Sequence, residues 1–117
     1  MSTFSKLPLS ASTNGMQILI TGTASGSATP IHTAVGGTSS WDEIWMYAYN
    51  DATMSLNLNI NWGSLAEPAN VVRTTLASRS GRVLIVDGKL LQNGLLVSAY
   101  ATTGSWISVD GFVNRIT

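Results

Sequence analysis

The chain of 117 residues lacks cysteine and is poor in charge. Without cysteine it has no disulfide scaffold, thiolate metal site, iron–sulfur cluster or cysteine nucleophile. Charged side chains make up 10% of the residues, whereas about 25% is usual in globular domains. Six Lys and Arg balance six Asp and Glu, so the formal net charge is zero. Because a few scattered cations neutralise few phosphates, we expect no nucleic-acid partner.

Long apolar segments are also lacking. No stretch approaches the ~18 consecutive apolar residues of a membrane span, and the first residues contain no apolar block of signal-peptide length. We therefore expect no membrane partner and no secretory signal. The carboxylates include one adjacent pair, Asp42-Glu43, and no Asp-x-Asp-x-Asp calcium loop. We predict neither a bound metal nor a cofactor.

The polar side chains that are present are mostly neutral. The chain has 15 Ser, 13 Thr and 8 Asn, together with 44% hydrophobic residues and four Trp. This composition is the opposite of the disordered signature, and threonine favours strands. The length suits one domain.

The clearest local pattern runs from Met54 to Trp62. Five apolar residues alternate with Ser55 and three asparagines, which places the apolar set on one face of a strand. The asparagine face must then be solvated or hydrogen-bonded, because asparagine is a poor strand former. A helix would spread the apolar residues around its whole circumference.

Seven further segments are predicted as short strands separated by turn dipeptides. They are 16–23, 29–35, 43–49, 70–76, 82–86, 95–102 and 105–114, with turns predicted at 14–15, 36–37, 50–51, 80–81, 87–88 and 93–94. Asp110-Gly111 lies inside its strand and is interpreted as a bulge. Eight strands at this spacing predict an all-β fold, an antiparallel β-sandwich or jelly-roll-like domain.

The first 15 residues show no period and contain Pro8. We predict that residues 1–15 form an irregular N-terminal arm, either frayed or docked on a neighbour. Residues 16–117 are then a single β-sandwich domain.

His32 is the one histidine of the chain. As a general base it would act with Asp42 or Glu43 and a serine hydroxyl. No Gly-x-Ser-x-Gly sequence accompanies it, and serine is common throughout. The simpler interpretation is a strand histidine hydrogen-bonded to the backbone. We expect no enzyme and assign no catalytic residue.

The aromatic residues are the remaining candidates for function. In the segment 43–49, Ile44, Met46 and Ala48 alternate with Trp45, Tyr47 and Tyr49, so both faces of this strand are apolar. Such a strand is either covered twice or uses one face for the core and the other for a partner. The predicted interface residues are Trp41, Trp45, Tyr47, Tyr49, Phe4, Leu7 and Pro8. A row of Trp and Tyr also suits a carbohydrate-binding module, and a second layer of core remains open for 45–49.

Several segments together resemble small virion proteins of tailed bacteriophages. They are LPLSASTNGMQILI (7–20), PIHTAVGGTSSWDEIWMYAYN (30–50), LNINWG (58–63), LLQNGLLVSAYATTG (90–104) and GFVNRIT (111–117). The resemblance spans nearly the whole chain and contains no catalytic motif, so no functional residue is carried over.

The resemblance implies a capsid decoration (cement) protein. In such proteins a β-domain follows an N-terminal arm and accompanies the major capsid protein, often as a homotrimer. It implies two partners, further copies of the chain and the major capsid protein, and a location in the virion after assembly in the host cytoplasm. A tail or neck component with the same fold is the alternative within this group.

Overall fold

A computed structural model describes residues 3–117 and is built from nine strands. The strands are β1 (Phe4–Pro8), β2 (Ile18–Ile20), β3 (Thr29–Thr33), β4 (Trp41–Asn50), β5 (Leu56–Trp62), β6 (Val71–Leu76), β7 (Val83–Leu91), β8 (Leu96–Ala101) and β9 (Ile107–Ile116). One short 3-10 helix, Ser25–Ser27, precedes β3. No helix in the described part of the chain has the length and apolar character to cross a membrane.

The strands form two antiparallel sheets packed face to face. In sheet 1 the order is β1-β9-β4-β7, and β2 pairs with the first part of β9 while β1 pairs with the second part. In sheet 2 the order is β3-β8-β5-β6. When β1 and β2 are counted as one interrupted strand, this is the strand order of an eight-stranded jelly roll. The predicted all-β sandwich is confirmed.

The core fills the space between the sheets. Every strand except β1 contributes buried apolar side chains to one continuous cluster, because alternate residues of a strand point to the same face. The fully buried members include Ile20, Ile31, Ile44, Met46, Leu58, Ile60, Val97, Val109 and Val113. In β5 the apolar residues Leu56 to Trp62 are buried as predicted, whereas Met54 lies before the strand and is 62% exposed.

The N-terminal segment differs from the predicted irregular arm. Met1 and Ser2 lie outside the described residues, but Phe4–Pro8 is regular and pairs in register with Ile116 to Phe112 of β9. Leu9 is fully buried, and the backbone of Ala11 donates to the Ile31 carbonyl. Residues 3–15 are therefore part of the sandwich. The sequence shows no alternation of apolar and polar residues here, because β1 is an edge strand with mostly exposed side chains.

Two glycine dipeptides differ from their predicted roles. Asp87-Gly88 was predicted as a turn, but it lies inside β7, where Gly88 is an extra residue between the pairs Ile44–Lys89 and Trp45–Asp87. Gly88 has a φ of 82°, which suits a bulge glycine. Asp110-Gly111, predicted as a bulge, pairs with β4 without a register shift.

Candidate functional site: the outer faces of the two sheets

The outer face of sheet 1 carries a row of aromatic side chains along β4. The inward residues of β4 are buried, and the outward residues, Trp41, Glu43, Trp45, Tyr47 and Tyr49, are half-buried or exposed. Phe4 of β1 and Phe112 of β9 lie on the same side by strand register. We call this surface the aromatic face. Since the sandwich has two layers, the aromatic face points away from the rest of the described chain.

Cations and neighbouring rings hold the aromatic face in place. Trp45 and Phe112 are stacked, with ring centroids 6.1 Å apart and planes 10° from parallel. The Lys6 ammonium lies 4.4 Å from the Phe112 centroid, and the Arg82 guanidinium lies 3.6 Å from the Tyr47 centroid. These are cation–π distances. The surface is therefore ordered, and some of its ring faces are already occupied.

Carboxylates complete this arrangement. Glu43 Oε1 accepts hydrogen bonds from Trp45 Nε1 at 2.7 Å and from Asn114 Nδ2 at 3.1 Å. The indole N–H, followed by the Asn114 amide, holds the pKa of Glu43 below its ordinary value. Asp110 accepts from the Tyr49 hydroxyl and from Arg82 Nε, both at 3.3 Å. Asp110 and Arg82 thus form an ion pair on this face, whereas Glu43 is held by two neutral donors.

The structure brings six of the seven predicted interface residues onto the aromatic side of sheet 1. Phe4 and Pro8 share that side with the β4 aromatics. Leu7 does not, because it pairs with the inward-facing Val113 and so lies on the opposite face of β1. The alternative of a second core layer over residues 45–49 is wrong, because no third layer exists in residues 3–117. Whether the face is an interface stays a prediction.

A buried polar cluster centred on Asp42 lies at one end of the sandwich. His32 Nε2 donates to Asp42 Oδ2 at 2.8 Å, and the Val35 backbone N–H donates to the same oxygen at 3.0 Å. Arg115 makes a two-point contact with Asp42, Nε to Oδ1 at 2.7 Å and Nη2 to Oδ2 at 3.0 Å. The side chains of His32 and Asp42 are 2% and 0% exposed. The cluster joins β3, β4 and β9, and hence the two sheets.

Burial of Asp42 by itself raises its pKa, but the Arg115 and His32 hydrogen bonds, the Arg115 charge and the Val35 N–H outweigh it. The pKa of this carboxyl is held below its ordinary value of 3.8. The carboxylate is therefore ionised in the folded chain near neutral pH.

Both ring nitrogens of His32 are engaged within the fold. Nδ1 accepts the backbone N–H of Ser10 at 3.0 Å, and Nε2 faces Asp42. The Ser10 hydroxyl instead accepts the Thr33 N–H at 2.7 Å. The structure thus places His32 against Asp42, one of the two carboxylates that the sequence analysis considered as its partner. Its arrangement, however, leaves no ring nitrogen to take a proton from a hydroxyl.

The outer face of sheet 2 is polar and is built on the asparagines of β5. Asn57 Oδ1 accepts from Thr75 Oγ1 at 2.9 Å, and Asn59 Oδ1 accepts from Arg73 Nη1 at 3.0 Å. Asn61 Nδ2 donates to Glu67 Oε2 at 2.8 Å. The prediction that this face is solvated or hydrogen-bonded is confirmed.

Glu67 lies in the segment between β5 and β6, and hydrogen bonds tie it to three strands of sheet 2. Besides Asn61, it accepts from the Tyr100 hydroxyl at 2.7 Å and from Arg73 Nη2 at 3.2 Å. These donors, the Tyr100 hydroxyl foremost, hold the pKa of Glu67 below its ordinary value. The carboxylate also balances the charge of Arg73.

Sequence reasoning did not single out Glu67 or Arg73, and it considered Tyr100 only as one of the aromatic residues. The alternating asparagines indicated that their face must be solvated or hydrogen-bonded. The partners themselves come from β6, β8 and the segment between β5 and β6, and only the folded structure brings them together.

Within residues 3–117 no group of three or more His, Asp or Glu side chains is placed to hold a metal ion. Comparison of the chain with family models, curated proteins and solved structures yields no match. The function is therefore argued from the two outer faces.

Proposed function

We propose that the chain is a virion structural protein, specifically a capsid decoration (cement) protein that binds the major capsid protein and stabilises the head. The observation that carries the proposal is the aromatic face. It is an ordered sheet surface rich in aromatic side chains, with no covering layer in the described chain. Tryptophan, tyrosine and phenylalanine are enriched in protein–protein interfaces.

The partner of the aromatic face in this proposal is another copy of the chain, in a homotrimer. Phe4 is 71% exposed and Trp41 is 41% exposed, and the register places both in one row across β1, β9 and β4. Burial of such a row between copies removes apolar surface from water. A closed trimer also covers sheet edges that would otherwise pair with other chains.

The fold and the charge content agree with this role. Jelly rolls occur in viral capsid domains and in lectins, although a fold alone does not imply a function. A chain with no net charge tends to associate. The engagement of both His32 nitrogens is consistent with a structural rather than an enzymatic role.

The aromatic face is less suited to sugar stacking than to a protein contact. A sugar stacks on an uncovered ring face, but Arg82 lies over Tyr47 and Lys6 over Phe112. This disfavours a carbohydrate-binding module that uses the aromatic face. A tail or neck component with the same fold remains the alternative within virions.

Imaging of the virus that encodes the chain tests the proposal. We expect hundreds of copies on the outside of the head, and particles without the chain should assemble but release their DNA at a lower temperature. A ring of about a dozen copies would place the chain in the neck or tail. Its absence from purified particles would overturn the virion role.

A further inference from the structure

We propose that the outer face of sheet 2 is a second, independent binding site, for a neutral oligosaccharide. A shallow groove of about 420 Å³ runs across β5 and β6 and reaches the end of β8. It is lined by Asn57, Asn59, Arg73, Thr74, Thr75 and Thr102. The inference concerns a different face from the one used in the proposed function and does not rest on it.

Asn59 is the central feature of the groove. Its side chain is 7% exposed, and its Oδ1 is occupied by Arg73 Nη1. Its Nδ2 carries two N–H donors. This nitrogen makes no hydrogen bond within residues 3–117, and it is accessible to solvent. A nearly buried amide with its oxygen anchored thus presents free donors to the groove.

The neighbouring row repeats this arrangement. Asn57 Oδ1 accepts from Thr75 Oγ1, so the Asn57 amide is also held with its Nδ2 side free. Thr102 Oγ1 accepts the Asn57 backbone N–H at 3.3 Å, which fixes the hydroxyl at the edge of the groove. Residues two apart on a strand are about 6.7 Å apart. The two amides therefore form a regular pair of donors whose orientation is set before a ligand arrives.

The charge of the groove favours a neutral ligand. Arg73 is the one cation lining it, and Glu67 Oε1 lies 3.2 Å from Arg73 Nη2. The guanidinium has five N–H donors, so donors remain for a ligand while its charge is balanced. An anion would gain little net attraction from such a pair.

Among neutral ligands, an oligosaccharide fits the lining better than a peptide. Sugar hydroxyls accept from amide and guanidinium donors and donate to threonine hydroxyls. A peptide bound through its side chains needs apolar pockets, whereas the groove is lined only by asparagine, threonine and arginine residues. Groups held in place beforehand lose little entropy on binding.

NMR titration of the full ¹⁵N-labelled chain tests the inference. The probes are maltohexaose, cellohexaose and mannohexaose, with hexagalacturonate as the anionic probe. We expect at least one neutral probe to shift the side-chain NH₂ signals of Asn57 and Asn59. Asn59→Asp keeps the shape and the Arg73 contact but replaces the free donors with an acceptor, and should weaken binding about tenfold or more.

Two further variants separate binding from folding. Asn57→Asp makes the same exchange at an exposed position and should also weaken binding. Gln17→Glu is the matched control, since Gln17 is exposed and contacts Ser108 of sheet 1; its affinity should equal that of the unmodified chain. Three results would each overturn the inference. The first is the absence of any NMR shift with the neutral probes at about 10 mM, and the second is a shift confined to the Trp45 indole. The third is tighter binding of hexagalacturonate than of the neutral probes. None of these results bears on the location of the chain in virions.

Discussion

At the scale of single residues, Asp42 is the charge on which the fold most depends. Its carboxylate is fully buried and receives hydrogen bonds from Arg115, His32 and the Val35 backbone. A buried charge is tolerated when its lone pairs are satisfied, and it becomes costly when a partner is lost.

We expect Asp42→Asn to destabilise the chain by about 3 kcal/mol, because at this fully buried position the amide N–H group would face one of the donors that Asp42 now satisfies. Urea denaturation followed by tryptophan fluorescence measures the change. Asp51→Asn is the matched control. Asp51 is 82% exposed and lies 3.8 Å from Arg79, so its loss should change stability by less than about 0.5 kcal/mol. Equal effects of the two substitutions would contradict the role given to the cluster.

The lowered pKa of Asp42 also predicts how stability depends on pH. The group has a lower pKa folded than unfolded, so its contribution is complete above the ordinary value of 3.8 and is lost as the pH falls through the folded value. Urea midpoints should therefore fall as the pH is lowered from about 5 to 2. Asp42→Asn should flatten this fall, and an unchanged slope in the variant would argue against it. Glu43 and Glu67 act in the same direction.

At the scale of elements, close packing of β9 on β4 depends on Gly111. A Cβ atom at this position would run into the carbonyl oxygen of Trp45 on the neighbouring strand. The glycine was predicted as a bulge, but its physical role is close approach of two backbones.

Gly111→Ala should therefore destabilise the chain by about 3 kcal/mol, since backbone cannot move aside as a flexible side chain can. Thermal unfolding by circular dichroism measures the loss. Gly36→Ala is the control, because a Cβ there meets nothing within 4 Å. We expect it to be neutral within about 0.5 kcal/mol. A neutral Gly111→Ala would mean that β9 and β4 separate more easily than their register indicates.

The N-terminal segment gives a second prediction at this scale. Leu9→Ala should destabilise the chain by about 3 kcal/mol, because Leu9 is fully buried beside the end of β1. Met16→Ala, at a side chain that is 59% exposed just after this segment, should change stability by less than about 0.5 kcal/mol. Chemical denaturation of both variants checks this. If Leu9→Ala were as mild as Met16→Ala, the segment would be a detachable arm after all.

At the scale of the whole molecule, the two sheets present different surfaces. Sheet 1 exposes aromatic rings together with the Arg82–Asp110 ion pair, and sheet 2 exposes amides and hydroxyls. The first suits a permanent protein contact, and the second suits a soluble polar ligand.

Size-exclusion chromatography with light scattering tests the contact between copies. We expect a trimer at micromolar concentration. Trp41→Glu should convert it to monomers, because a charge would have to be buried in the apolar row. Met54→Glu is the control, since Met54 is 62% exposed and lies beyond the opposite end of β4. A monomeric unmodified chain would remove self-association from the proposal.

Much of the strand content was predictable because it depends on local pattern. All eight predicted strands overlap observed ones, and Asn14-Gly15 and Asn93-Gly94 have positive φ at both residues, as their turn roles require. Asp87-Gly88 was misassigned because the same dipeptide serves turns and bulges. Only pairing with β4 distinguishes the two. β1 was missed because an exposed edge strand has no burial pattern to detect.

The sequence by itself determined the fold class, the inward side of β5, and the weak charge of the surface. These follow from alternation and composition, which are local properties. The tertiary structure decided the strand order, the place of residues 3–15 in the sandwich, and the partners of Asp42 and Glu67. These depend on residues far apart in the chain, such as Asp42 and Arg115, which meet only when β4 pairs with β9. It also separated the aromatic from the polar surface, because the two lie on opposite sheets.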